Sequence, residues 1–194
     1  MKIYDDIAEE YIESRSSQIG VHDILSFVQQ YETPISILDL GCGSGAPIAQ
    51  SLIHYTHRYV GVDSSKNLLR YFQQNIPTAN TLLTPMQSMD LRGETFDLVF
   101  AYGSLFHLTP DQQRRALHLA AASVKNGGIL TFTSGIEAGS CSGYVNDTEI
   151  PHWSLGESEY VVLLTSGGLT YLGTTIGEGD NCFFTFTRDM TNTC

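Results

Sequence analysis

The stretch Ile35-Ser36-Ile37-Leu38-Asp39-Leu40-Gly41-Cys42-Gly43-Ser44-Gly45-Ala46 decides the fold. A β-favouring apolar run ends beside an acid, three alternate glycines follow, and Ile48, Ala49, Leu52 and Ile53 then recur at helical spacing. That order reads as strand, tight turn, helix. Glycines let the turn take positive φ and let a ligand approach without meeting a Cβ, while the helix start offers free N–H groups to an anion. Such a turn is a nucleotide cradle.

The spacing Gly41-x-Gly43-x-x-Ala46, with Asp63 farther on at the end of a second strand predicted over 58–63, also fits a dinucleotide site. Asp39 argues for a different ligand. A carboxylate two residues before the first glycine would repel a diphosphate, and it suits a ligand that carries a cationic amino group. Asp63 is placed to accept from both hydroxyls of a ribose, or to cap the helix that begins near Ser64.

With these residues the chain resembles the class I S-adenosylmethionine-dependent methyltransferases, on its small-molecule branch. Asp39 to Gly45 looks like their first motif, Gly61-Val62-Asp63 their second, and Lys125-Asn126-Gly127-Gly128-Ile129-Leu130 their turn before strand five. Phe96 to Tyr102, followed by Ser104-Leu105-Phe106-His107-Leu108, carries the likeness further. The resemblance implies a Rossmann-like α/β fold. Its sheet is seven-stranded and mostly parallel, in order 3-2-1-4-5-7-6 with the last strand antiparallel and helices on both faces. It implies S-adenosyl-L-methionine as cofactor, S-adenosyl-L-homocysteine as product, and contacts from Asp39, Gly41, Cys42, Gly43, Gly45, Asp63, Ser64, Met86, Gln87 and Tyr102. Pro85 stands where relatives often place the acid that holds the adenine amino group, so Gln87, Asp90 or the Met86 N–H is expected to replace it.

Composition bounds the partners. The chain has 194 residues, 42% hydrophobic and 16% charged, which fits one globular domain over 1–194. Ten basic against 21 acidic residues give a formal charge of −11, which repels nucleic-acid backbones and anionic membranes. Neither a signal peptide nor a membrane-spanning run is visible, and the expected location is cytoplasmic. Four cysteines without CxxC spacing read as free thiols; Cys42 reads as a small residue packed in the turn, and His54 with His57 lacks the further ligands of a metal site.

Along the chain, Ile3, Tyr4, Ile7, Ala8, Tyr11 and Ile12 repeat at helical spacing, and a second helix is expected before Pro34. By resemblance these helices, about 1–31, form a lid, with Tyr4 and Tyr11 toward the acceptor. Strands are predicted over 80–83, 95–102 and 129–133, a helix over 111–124, and a terminal hairpin from 169–176 and 182–187. Residues 134–156 are Gly- and Ser-rich without clear periodicity and are expected to be a long functional loop that closes over the acceptor.

The acceptor side is expected to include Ser104, His107, His152 and Trp153. His107 and His152 are candidate general bases, because imidazole titrates near neutrality. The expected activity is methyl transfer to a small-molecule acceptor by in-line displacement, with no metal required. The alternatives are a non-catalytic S-adenosylmethionine-binding protein and a nicotinamide-dependent oxidoreductase.

Overall fold

The computed structural model describes residues 5, 8, 9, 12, 18–32, 34–145 and 148–190. Residues 5, 8, 9 and 12 are helical, in keeping with the amphipathic helix read from the sequence. Then come α1 (Val21–Val28), β1 (Ile35–Leu40), α2 (Ile48–Leu52), β2 (Thr56–Asp63), α3 (Lys66–Asn75), β3 (Asn80–Leu83), β4 (Phe96–Ala101) and α4 (Pro110–Ala122). The chain continues with β5 (Val124–Thr133), β6 (Gly139–Val145), β7 (Thr148–Ser154), α5 (Glu157–Ser166), β8 (Thr170–Ile176) and β9 (Cys182–Thr187).

Seven strands form one sheet in the order β3-β2-β1-β4-β5-β9-β8. The pairs from β3 through β5 are parallel, and β9 runs antiparallel to both β5 and β8. This is the expected order, with β8 and β9 as its sixth and seventh members. All six residues of β1 are buried, as a central parallel strand covered on both faces requires. Alternate residues serve the two faces: Ile35 and Ile37 pack with Ile24, Val28, Leu52 and Phe72 of α1, α2 and α3, while Leu38 and Leu40 join Leu117, Ala120, Tyr160 and Leu164 of α4 and α5.

Local signals explain most boundaries. The Ser65 side chain caps α3 by accepting from the Leu68 N–H. A capping box between Thr109 and Gln112 starts α4, with Pro110 in its first turn. One expectation needs correction. Residues 134–156 are not a structureless loop, because β6 and β7 pair as an antiparallel hairpin outside the main sheet. The sequence Gly-Ser-Cys-Ser-Gly-Tyr in β6 hides this strand: its described side chains are mostly exposed, so no apolar face alternates along it.

The N-terminal ends of the central strands are pinned by Asp97. Its Oδ2 accepts from the Ser36 N–H at 2.7 Å, the Ser36 hydroxyl at 2.5 Å and Lys125 Nζ at 2.9 Å, joining β4 to β1 and β5. Burial raises its pKa, but the hydrogen bonds from Ser36 and Lys125 outweigh that and hold the carboxyl below its ordinary value. A depressed folded-state pKa stabilises above the unfolded value, and that stability is lost as pH falls through the folded value. Asp97→Asn should therefore cost about 1 to 2 kcal/mol at pH 7 in urea unfolding. The gap to the parent protein should narrow below about pH 4.

Candidate functional site

The glycine turn is fastened to β2. Gly41 and Cys42 donate their N–H groups to the Val62 carbonyl at 2.7 and 3.1 Å. The Gly43 N–H reaches Asp63 Oδ2 at 3.0 Å, and the Ser65 N–H reaches Asp63 Oδ1 at 2.8 Å. Burial raises the Asp63 pKa, and the N–H groups of Ser65 and Gly43 oppose that rise. Cys42 lies within the turn with its sulfur against Gly61, where an added Cβ would come within 2.7 Å of it. Burial first, then the carboxylates of Asp39 and Asp63, push its thiol well up, so it packs as a protonated side chain and not as a nucleophile.

The glycines have separate reasons. Gly41 has φ +78°, and a Cβ there would lie 2.3 Å from Ser104 Cβ. Gly43 has φ +55° and faces open space, with nothing within 4 Å of an added Cβ. Gly45 lies against Phe72 and Ile76 and serves packing.

A cavity of about 200 Å³ opens at this turn. It gathers Gly41, Gly43, Asp63, Ser64, Met86 and Gln87 of the expected cofactor residues, together with Ser104 and His107 from the segment after β4. The Gln87 Oε1 atom is buried and has no hydrogen-bond partner among the described residues. Leu68, Leu108 and Gln112 also line the cavity and were missed from sequence. Leu68 carried no signal beyond helical periodicity, and Gln112 is explained locally by its cap on the Thr109 N–H at 3.0 Å.

Other expected residues lie elsewhere. Asp39 is 4% exposed and does not line the cavity; its Oδ2 accepts from the Tyr59 hydroxyl at 2.7 Å. Tyr102 also lies off the cavity, its ring against Gly20 and Phe183 and its hydroxyl accepting from Asn181 Nδ2 at 3.0 Å. The Ser104 hydroxyl donates to the Leu40 carbonyl at 2.6 Å, fastening the loop after β4 to the end of β1. Tyr4 and Tyr11 lie outside the described residues. Near them, Asp5 Oδ1 accepts from the Ser65 hydroxyl and the Asn67 N–H, both at 2.9 Å, which docks the first helix at the start of α3.

His107 and His152, 45 positions apart in the chain, come together with Phe106. The Phe106 ring lies 4.6 Å from each imidazole, and the two imidazoles are 4.8 Å apart, all edge to face. Gly143 makes room for His152, since a Cβ there would fall 2.3 Å from the ring. Burial lowers the His152 pKa, so the ring is neutral at pH 7. Phe106, His152 and Trp153 line a second cavity of about 640 Å³ between the β6–β7 hairpin and the start of β9.

Buried polar groups hold that hairpin in place. Gln113 Nε2 donates to the carbonyls of Leu108 and Trp153 at 2.9 and 2.8 Å, and its Oε1 accepts from the Tyr160 hydroxyl at 2.7 Å. The Leu155 N–H reaches the same hydroxyl at 3.1 Å. The base of β7 is thereby fixed against α4 and α5.

The two turn glycines should respond differently to alanine. Gly43→Ala should lose about 1 kcal/mol, the cost of left-handed backbone with a Cβ. Gly41→Ala adds an overlap with Ser104 and should lose clearly more, by about 3 kcal/mol in all, in urea unfolding.

Residues 37–128 match a family described as the methyltransferase domain. Over 76 residues the chain is 37% identical to a tRNA U34 carboxymethyltransferase of Hahella chejuensis, a match that takes in 37% of this chain and 24% of that protein. The chain thus spans about a quarter of the length of that curated relative. Among solved structures, the CcbJ methyltransferase of Streptomyces caelestis superposes with TM-score 0.75 at 16% identity, over 95% of this chain and 97% of that one. The S-adenosylmethionine-bound CalS10 of Micromonospora echinaspora, an amino pentose methyltransferase, gives 0.74 at 16% identity, over 97% of both chains. An S-adenosylmethionine-dependent methyltransferase of Clostridium acetobutylicum gives 0.72 at 13% identity, over 97% of both chains. Residues 37–128 thus match the methyltransferase domain family, and the chain shares its fold with these solved S-adenosylmethionine-dependent methyltransferases.

Proposed function

We propose that the protein is an S-adenosylmethionine-dependent methyltransferase acting on a small-molecule acceptor by in-line displacement. The observation that carries this reading is the first cavity: open space over Gly43, the Asp63 carboxylate at its edge, and a buried Gln87 carbonyl without a partner among the described residues. These groups fit an adenosyl ligand. Asp63 still has lone pairs for ribose hydroxyls, Gln87 Oε1 can accept from an adenine amino group in place of the acid absent at Pro85, and Met86 and Leu68 offer apolar surface to the base. When bound, S-adenosylmethionine supplies a methyl group made electrophilic by the adjacent sulfonium charge.

The residues of this chain would then bind, align and exclude water. His107 lines the first cavity and His152 the second, so either imidazole is placed to take a proton from an acceptor. Asp5 hydrogen-bonds to Ser65 and Asn67, just beyond Asp63 and Ser64 in the chain, which supports the lid role proposed for residues 1–31. A charge of −11 disfavours a polyanionic acceptor such as RNA, despite the tRNA-modifying relative of a 76-residue segment. Cys42, Cys141 and Cys182 are free thiols, in keeping with a cytoplasmic setting.

Calorimetric titration with S-adenosylhomocysteine tests the cofactor assignment. Gly43→Val, Asp63→Ala and Gln87→Leu should each stay folded and lose about tenfold or more in affinity, roughly 1.4 kcal/mol. The parent protein should also disfavour S-inosylhomocysteine, whose C6 carbonyl accepts and cannot donate to Gln87 Oε1. Unchanged affinity in all three variants would remove the assignment. Turnover should fall as pH drops into the histidine range, and below about pH 6.5 if His152 is the base, because burial lowers its pKa. The corresponding His→Gln variant should lose that limb. Full turnover in both His107→Gln and His152→Gln would leave alignment alone as the mechanism.

A further inference from the structure

The second cavity has a chemistry of its own. Several polar side chains on its lining are already engaged. The Ser134 hydroxyl lies 2.7 Å from the Tyr160 hydroxyl, Ser154 donates to the Gly135 carbonyl at 2.6 Å, and Asn181 Nδ2 donates to Tyr102 and to the Glu178 carbonyl. Two exposed carboxylates, Glu137 and Asp180, also line it, and neither makes a hydrogen bond or ion pair among the described residues. No lysine or arginine lines the cavity among the described residues. Its walls include Phe106 and Trp153, whose ring faces attract cations. Burial lowers the His152 pKa, which disfavours a competing positive charge there.

We propose that this cavity binds the methyl acceptor through a positively charged amine, drawn by Glu137 and Asp180 and seated against Phe106 and Trp153. The proposal rests on the methyltransferase reading and narrows it to amine-bearing acceptors. A carboxylate or phosphate ester would meet two like charges and no cation. A neutral alcohol would forgo the electrostatic attraction. An amine held there lies against the ring cluster through which His107 reaches the first cavity.

Trp153 is the sole tryptophan, so its emission reports occupancy of the cavity directly. Three probes of one shape can be titrated at pH 7 and low salt with S-adenosylhomocysteine present: cyclohexylamine, cyclohexanol and cyclohexanecarboxylate. The amine should change the emission saturably at a lower concentration than the other two. Glu137→Gln with Asp180→Asn should raise its half-saturation by about three- to tenfold, and added salt should weaken it in the parent protein. Asparagine suits position 180, where φ is +58°. The proposal is overturned if the alcohol or carboxylate matches the amine, if no probe changes the emission, or if the double variant binds the amine unchanged. Calorimetry on the same samples separates the two readings. Intact S-adenosylhomocysteine binding with any of those outcomes removes the amine assignment alone, whereas absent binding removes the methyltransferase reading beneath it.

Discussion

The hydrogen bond from the Gly43 N–H to the Asp63 carboxylate joins the two features from which the site is built, the turn after β1 and the end of β2. It forms because both chain segments approach closely: Gly61 leaves room for the Cys42 sulfur, and the Gly41 and Cys42 N–H groups converge on one carbonyl, that of Val62. The carboxylate is thus oriented by two backbone donors before any ligand arrives. It needs no ordering at the moment of binding, which is the physical meaning of preorganisation. The same contact removes the Gly43 N–H from the donors that the turn offers an anion.

The two cavities are stabilised by different means. The first is bounded by main chain and by Gly41, whose replacement would force an overlap with Ser104, so its shape at that point is set by close packing. The second is framed by a hairpin outside the sheet, held by Gln113, Tyr160 and the carbonyl of Trp153. Gln113 and Tyr160 are fully buried, and a buried polar group without its partner is costly, so this network allows few alternative positions for the base of β7.

Much of this was legible in the sequence because it rests on local signals. The glycine turn, the acid ending β2, the helix before Pro34 and the terminal hairpin each report on their own segment. The strand order followed from resemblance, and β9 takes its antiparallel place in the sheet as that implied. What was hidden depends on contacts between distant segments. Nothing near Asp39 announces that the Tyr59 hydroxyl will meet its carboxylate, and nothing near Tyr102 announces a ring turned toward Gly20 and Phe183. The β6–β7 hairpin was concealed because β6 buries little, and the meeting of His107 with His152 depends on how that hairpin folds back.

The Ser104 hydroxyl bond to the Leu40 carbonyl has a mechanical consequence. It clamps the loop after β4 to the end of β1, across a gap too narrow for a methyl group at Gly41. Loops are usually the most mobile part of an α/β domain. Here the loop after β4 is tied to a central strand whose six residues are all buried, so drift of one carries the other along. For a displacement in which a 1 Å misplacement can cost about a hundredfold in rate, that shared motion preserves alignment without requiring the whole molecule to be rigid.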